Sequence, residues 1–307
     1  MSKKLVVPLT VGAAFWALAL AGWLASGQVF VLVNFGYIGT SVALGLGLYA
    51  VLPRAKKPLG RRIAQFLVGV YMLGFLGLLG AENMQIEGLF YYLLAGVFAG
   101  AVIHYAVAKI IGPLFFGRAW CGWACWTAMV LDLLPWKTPG RRDMGRLGHL
   151  RYLVFGLSLL LILVLWYVFG YRMGSRTASL AWLLGGNALY YGTGVGLAWR
   201  FKDNRAFCKI LCPVAVPLKV GSRYSLLKVR GNAEACTGCG TCSRACPMGV
   251  DAHAFIQAGS RVLSTECTVC QTCVSSCPNE ALKLSFGVDT RRRLHTPERR
   301  RGLPGAV

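Results

Sequence analysis

Eight cysteines in two matched runs constrain this 307-residue chain more than any other feature. The first run is Cys236-Thr-Gly-Cys239-Gly-Thr-Cys242-Ser-Arg-Ala-Cys246-Pro247, and the second is Cys267-Thr-Val-Cys270-Gln-Thr-Cys273-Val-Ser-Ser-Cys277-Pro278. Each reads C-x2-C-x2-C-x3-C-P. Three cysteines at short, even intervals on a tight loop aim three thiolates at three corners of one cubane, and the fourth corner takes a ligand from elsewhere. Pro247 and Pro278 stop the chain from continuing as a helix. Zinc sites usually pair C-x2-C motifs across a spacer, and disulfide frameworks belong to small secreted domains. All 12 cysteines fall in C-x2-C or C-x3-C patterns, so a metal or redox role covers the whole set.

The two runs carry the spacing of bacterial ferredoxins with two 4Fe–4S clusters, in which the fourth cysteine of each run serves the other cluster. Carried onto this chain, that pattern gives one cluster Cys236, Cys239, Cys242 and Cys277, and the other Cys267, Cys270, Cys273 and Cys246.

The rest of the chain is of a different kind. Overall it is 56% hydrophobic and only 14% charged, a membrane composition. A net charge of +22 would suggest nucleic-acid binding in a soluble protein. Here the basic residues sit mostly between apolar stretches, which reads as orientation in a membrane and attraction to anionic lipid, with no nucleic-acid partner. Apolar stretches at about 5–25, 29–52, 63–79, 89–111, 152–171 and 180–199 predict six spans, the first too long for a signal peptide and read as an uncleaved helix. The expected organisation is a transmembrane domain over 1–201, a connector over 202–231, a ferredoxin-like domain over 232–287 and a basic disordered tail over 288–307. The fold class is an α-helical integral membrane protein with a C-terminal α+β two-cluster domain. With the N-terminus inside, only Arg172 and Arg176 of 33 basic residues fall outside. That predicts a multi-pass protein of a bacterial cytoplasmic (inner) membrane, with the ferredoxin domain and C-terminus cytoplasmic.

A second cysteine motif is duplicated. Arg118-Ala-Trp-Cys121-Gly-Trp-Ala-Cys125 follows the fourth predicted span, and Arg205-Ala-Phe-Cys208-Lys-Ile-Leu-Cys212 follows the sixth. Cysteines at i and i+4 share a helical face, so two such pairs brought together make a four-thiolate site for an iron–sulfur cluster or another metal. Two other readings stay open: thiols cycling to disulfides, and cysteine as a small buried hydrophobe. His104, inside an apolar span, is a candidate for a quinone hydrogen bond or for helix packing. Glu82 and Glu87 read as solvated loop charges or as proton carriers. Asp132, on an amphipathic stretch that would lie on the inner surface, is assigned no chemistry. The tail arginines Arg291–Arg293 and Arg299–Arg301 read as solvated or lipid-attracted.

Spans, two C-x3-C motifs at cytoplasmic helix ends and a tandem 4Fe–4S domain together resemble the NapH/NosR-type membrane polyferredoxins from about Arg118 to Ala281. The resemblance implies electron transfer between the quinone/quinol pool, cytoplasmic-face clusters and a partner redox subunit of a respiratory complex. It departs from the family at Trp126, where the pattern has proline, and in the number of spans. The expected role is an electron-transfer subunit of a quinol-linked oxidoreductase system, with two 4Fe–4S clusters, a candidate third centre and a diffusible quinone. Two alternatives are a metal reductase or assembly factor for a respiratory metalloenzyme, and a thiol-based redox sensor.

Overall fold

The computed structural model describes residues 3–98, 100–137, 144–172 and 175–289. The basic tail anticipated at 288–307 lies almost wholly outside them. Helices α1 (Val6–Ser26) and α2 (Val29–Val51) form a hairpin closed by Gly27, whose φ of +67° makes the left-handed turn. Helix α3 (Lys57–Val70) packs on α2 and continues as a π-helix over Tyr71–Leu79. Close approach of α2 and α3 needs glycine at the crossing: a Cβ on Gly45 would strike Ala64, and one on Gly60 would meet the Tyr49 amide.

Among the described residues, four helical stretches are long and apolar enough to cross a membrane: Val6–Ser26, Val29–Val51, Arg54–Leu79 and Gly145–Tyr167. They match the first, second, third and fifth expected spans. The fourth is not one helix. It is broken into α4 (Ile86–Leu94) and a shorter apolar helix, α5 (Gly100–Phe116), with Gly96 at φ +68° in the break. The carboxylate of Glu82 fills the space beside Gly100 that a side chain would occupy, at the start of α5. The sixth is a continuous 26-residue helix, α9 (Arg176–Phe201), capped by the Ser175 hydroxyl, which accepts from the Ala178 amide at 3.1 Å. Its glycines, Asn187, Tyr190 and Tyr191 leave it less apolar than the other four. Within Gly145–Tyr167, α8 covers Leu150–Tyr167.

Two one-turn helices, α6 (Ala119–Trp123) and α7 (Trp126–Leu131), follow α5. After α9 come α10 (Ala206–Ile210) and α11 (Ala215–Arg223). The C-terminal unit is closed by an antiparallel pair, β1 (Leu227–Gly231) and β2 (Leu282–Phe286), in register from Leu227 against Phe286 to Gly231 against Leu282. Val229, Met248, Val250, Phe255, Ile256, Val262 and Leu282 form its core, and Cys208 from α10 packs into the same cluster.

Candidate iron–sulfur sites

All twelve cysteines are free. In the first run, Gly238 and Gly240 adopt φ of +75° and +67°, which bends the loop around its sulfurs. Cys236, Cys239 and Cys242, with Cys277 from the second run, line one cleft together with His253 and Pro278. Cys239 is exposed. Its thiol is lowered by the hydroxyl and amide of Thr241.

In the second run Cys270 is buried and Cys267, Cys273 and Cys277 are half-buried. Cys267, Cys270 and Cys273 interact electrostatically with one another and with Cys246. Burial pushes Cys246 up to about 11 and Cys267 up to about 12. Bare, these thiols hold their protons at neutral pH, and a bound cation is what would draw them off.

The two C-x3-C motifs, 83 residues apart from Cys125 to Cys208 in the sequence numbering, fold alike and meet. In each, the aromatic carbonyl accepts two amides. Trp120 takes Ala124 at 2.9 Å and Cys125 at 3.0 Å, and Phe207 takes Leu211 at 2.9 Å and Cys212 at 3.0 Å. Cys212 feels Cys208, Cys121 and Cys125, and Cys208 feels Cys125 and Cys121. Burial pushes Cys208 up to about 11 and raises Cys125 and Cys212 as well. Among the described residues, no three His, Cys, Asp or Glu side chains are set to hold a single metal ion. A four-iron cubane takes one thiolate at each iron, so its ligands stand further apart.

Buried ion pairs hold the quartet in place. The motif arginines are 1% exposed and each has a carboxylate. Arg205 donates to Asp132 through Nε and Nη2, both at 2.7 Å, and through Nη1 to the Cys121 carbonyl at 3.1 Å. Arg61 from α3 reaches Asp132 at 3.0 Å and the Gly122 carbonyl at 2.8 Å. Arg118 meets Glu266 at 2.8 Å, and Glu266 also takes Arg151 at 3.0 Å and Lys219 at 2.6 Å. Asp132 therefore lies inside a network and not on a surface. Burial would raise its carboxyl, but Arg205 and Arg61 outweigh that and hold it low.

The quartet abuts the second ferredoxin run. A Cβ on Gly122 would strike the Thr268 carbonyl and come within 3.4 Å of the Cys270 side chain. Trp123 Nε1 donates to the Val269 carbonyl at 3.0 Å, and Tyr49 Oη donates to the Gln271 carbonyl at 3.0 Å.

His104 stands edge-on to Trp120, ring centres 4.6 Å apart, with Nε2 buried and without a hydrogen-bond partner among the described residues. Glu87 is not a solvated loop charge. It accepts from Ser158 at 2.7 Å and Tyr190 at 3.4 Å. Sequence reasoning passed over Arg61, Lys109, Arg151 and Glu266. Of these, Lys109 carried a readable signal, a lysine inside an apolar span.

Residues 228–278 match the model of a 4Fe-4S dicluster domain, and residues 98–145 and 192–217 match that of a 4Fe-4S binding domain. An uncharacterised protein of Methanocaldococcus jannaschii is 28% identical over 61% of this chain and 73% of its own length. The methylamine utilization ferredoxin-type protein MauN of Paracoccus denitrificans is 29% identical over 56% of this chain and 63% of its own. YccM of Escherichia coli, whose name describes electron transport, is 28% identical over 60% of this chain and 56% of its own. No solved structure matches. The chain carries 4Fe-4S ferredoxin-type domains and is homologous to MauN- and YccM-type proteins.

Proposed function

We propose that this protein is a membrane-bound relay that passes single electrons between the quinone/quinol pool and a partner redox subunit, through a centre at the Cys121/Cys125/Cys208/Cys212 quartet and two ferredoxin clusters. The observation that carries the reading is the meeting of the two C-x3-C motifs directly beneath the second cysteine run, with Gly122 against Thr268 and Cys270. The names of two relatives, ferredoxin-type and electron transport, support it. Quinone/quinol as the membrane partner is the narrower part, taken from the NapH/NosR-type resemblance.

Cys267, Cys270, Cys273 and Cys246 would hold one cluster, and Cys236, Cys239, Cys242 and Cys277 the other. Bound 4Fe–4S clusters supply one-electron carriage, and the chain supplies their spacing and surroundings. Gly122 lets the quartet and the second run approach without an intervening side chain. Trp120, Trp123 and Trp126 flank the quartet cysteines and would limit the access of water to a centre bound there. The exposed Cys239 opens the far end of the relay to a partner. Arg54, Arg61, Arg118 and Arg151 all bond at the ferredoxin end of the helices. By the positive-inside rule, that end would face the cytoplasm of a multi-pass inner-membrane protein.

The test is anaerobic. The full chain in lipid vesicles is reduced with dithionite, freed of excess reductant and mixed with a menaquinone analogue while the iron–sulfur absorbance is followed. Rapid reoxidation is expected. Clusters that stay reduced with every quinone tried would overturn the quinol link and favour the metal-reductase reading, and a reversible disulfide among the quartet thiols would favour the sensor.

A further inference from the structure

We propose that Lys109 is a buried counter-charge that raises the reduction potential of the quartet centre. This rests on reading Cys121, Cys125, Cys208 and Cys212 as a cluster site.

Lys109 lies in a π-helical turn of α5, Ala106–Ile111, a geometry that inserts an extra residue per turn and often marks functional sites. It is 3% exposed. Its ammonium stands 4.5 Å from the centre of the Trp120 ring and 5.8 Å from those of Tyr105 and Trp126. Among the described residues it has no carboxylate partner, and the titratable groups it faces are the thiols of Cys125, Cys121 and Cys212 and the imidazole of His104. The neighbouring buried cations are all paired: Arg61 and Arg205 on Asp132, Arg118 and Arg151 on Glu266, Lys209 on Asp203.

A buried ammonium without an anion is strongly disfavoured. Three aromatic faces offset part of that, and they supply no countercharge. The missing anion is what a thiolate-ligated cluster provides, because four thiolates and four sulfides outweigh the charge of four irons. Uptake of one electron adds one negative charge and breaks no bond. A fixed cation close by, in a water-excluded setting, favours the reduced form. Arg118 and Arg205 also face the quartet, but each is ion-paired, Arg118 on Glu266 and Arg205 on Asp132, and those two carboxylates offset part of the arginine charge. Lys109 is the buried cation there with no carboxylate partner among the described residues.

The test is a redox titration of the full-length protein in nanodiscs, with dithionite as electron donor and electron paramagnetic resonance as readout. C121S identifies which signal belongs to the quartet. Lys109→Met keeps the length of the side chain and removes its charge. It is expected to lower the equilibrium constant for one-electron reduction of the quartet centre at least tenfold, a fall of about 59 mV, while both ferredoxin centres stay put. Lys109→Arg is expected to remain within about threefold of wild type. Loss of the quartet signal alone in K109M, with K109R retaining it, also supports a counter-charge. Unchanged potential in K109M, an equal shift of all three centres, or loss of the quartet signal in both variants overturns it. If the spectrum of C121S equals that of wild type, the quartet reading itself fails; if C121S removes a signal that K109M does not move, only the role of Lys109 fails.

Discussion

In the first cysteine run the left-handed backbone positions are Gly238 and Gly240; in the second they are Val269 and Gln271, at φ of +50° and +60°. The spacing is the same, and the backbone needs the same bends. Glycine makes them freely, whereas a β-branched residue there stores about 1–3 kcal/mol of strain. The second run tolerates it because the helical part of the molecule grips the strained peptides, Trp123 on the Val269 carbonyl and Tyr49 on the Gln271 carbonyl. Glu266, next to Cys267, adds three cations from three further segments. On the first run Cys239 is exposed to solvent. One sequence pattern therefore serves two purposes: an outward loop that folds by its own glycines, and an inward loop that is shaped by what it docks on.

The largest break in this contrast is expected from Glu266→Ala, which strands buried Arg118 and Arg151. Loss of one partner of a buried pair costs about 3–5 kcal/mol. Thermal unfolding in detergent should fall accordingly, and the second-run centre should bleach first in air while the first-run centre persists. Equal bleaching of both would erase the distinction.

Asp132→Asn is expected to cost about 3 kcal/mol by weakening the clamp on Arg61 and Arg205. It also gives a pH signature. The folded carboxyl lies below its ordinary value, so the stability it contributes is complete above the unfolded carboxylate value and drains away as the pH falls through the folded one. Wild-type melting should thus be insensitive to Asp132 from pH 7 to 5 and decline below about pH 4. The difference between wild type and D132N, measured in parallel melts, should shrink there.

Trp123→Phe leaves the Val269 carbonyl without its donor and is expected to cost about 2 kcal/mol, and Tyr49→Phe about 1 kcal/mol. Both should speed oxidative loss of the second-run centre without touching the first. The smallest effects are a matched pair. Gly238→Ala should cost about 1 kcal/mol, while Val269→Gly should stay within about 1 kcal/mol of neutral, because relief of strain offsets added chain entropy. Chemical denaturation of the two variants checks the pair, and equal costs at both sites would contradict the difference in backbone demand.

Local chemistry was legible in the sequence. Cysteine spacing marks its own loops, and long apolar stretches mark their own helices, so the two runs, the duplicated C-x3-C motifs and four of the apolar helices could be read directly. What depended on distant partners could not. The break between Leu94 and Gly100 follows from Gly96 and from Glu82 filling the place beside Gly100. Asp132 looks like an amphipathic surface residue until Arg61 and Arg205 arrive from elements 71 and 73 residues away. Glu266 gains its meaning only from Arg118, Arg151 and Lys219. The less apolar α9 was read as a span from its length, although its glycine and polar content sets it apart from the other four helices.

Iron and acid-labile sulfide counts on anaerobically reconstituted protein test the third centre most directly, comparing wild type with the Cys121→Ser/Cys208→Ser double variant. A centre at the quartet predicts about 12 iron and 12 sulfide per chain, falling to about 8 of each in the variant. About 8 of each in both proteins would contradict it and leave the four thiols without a cluster.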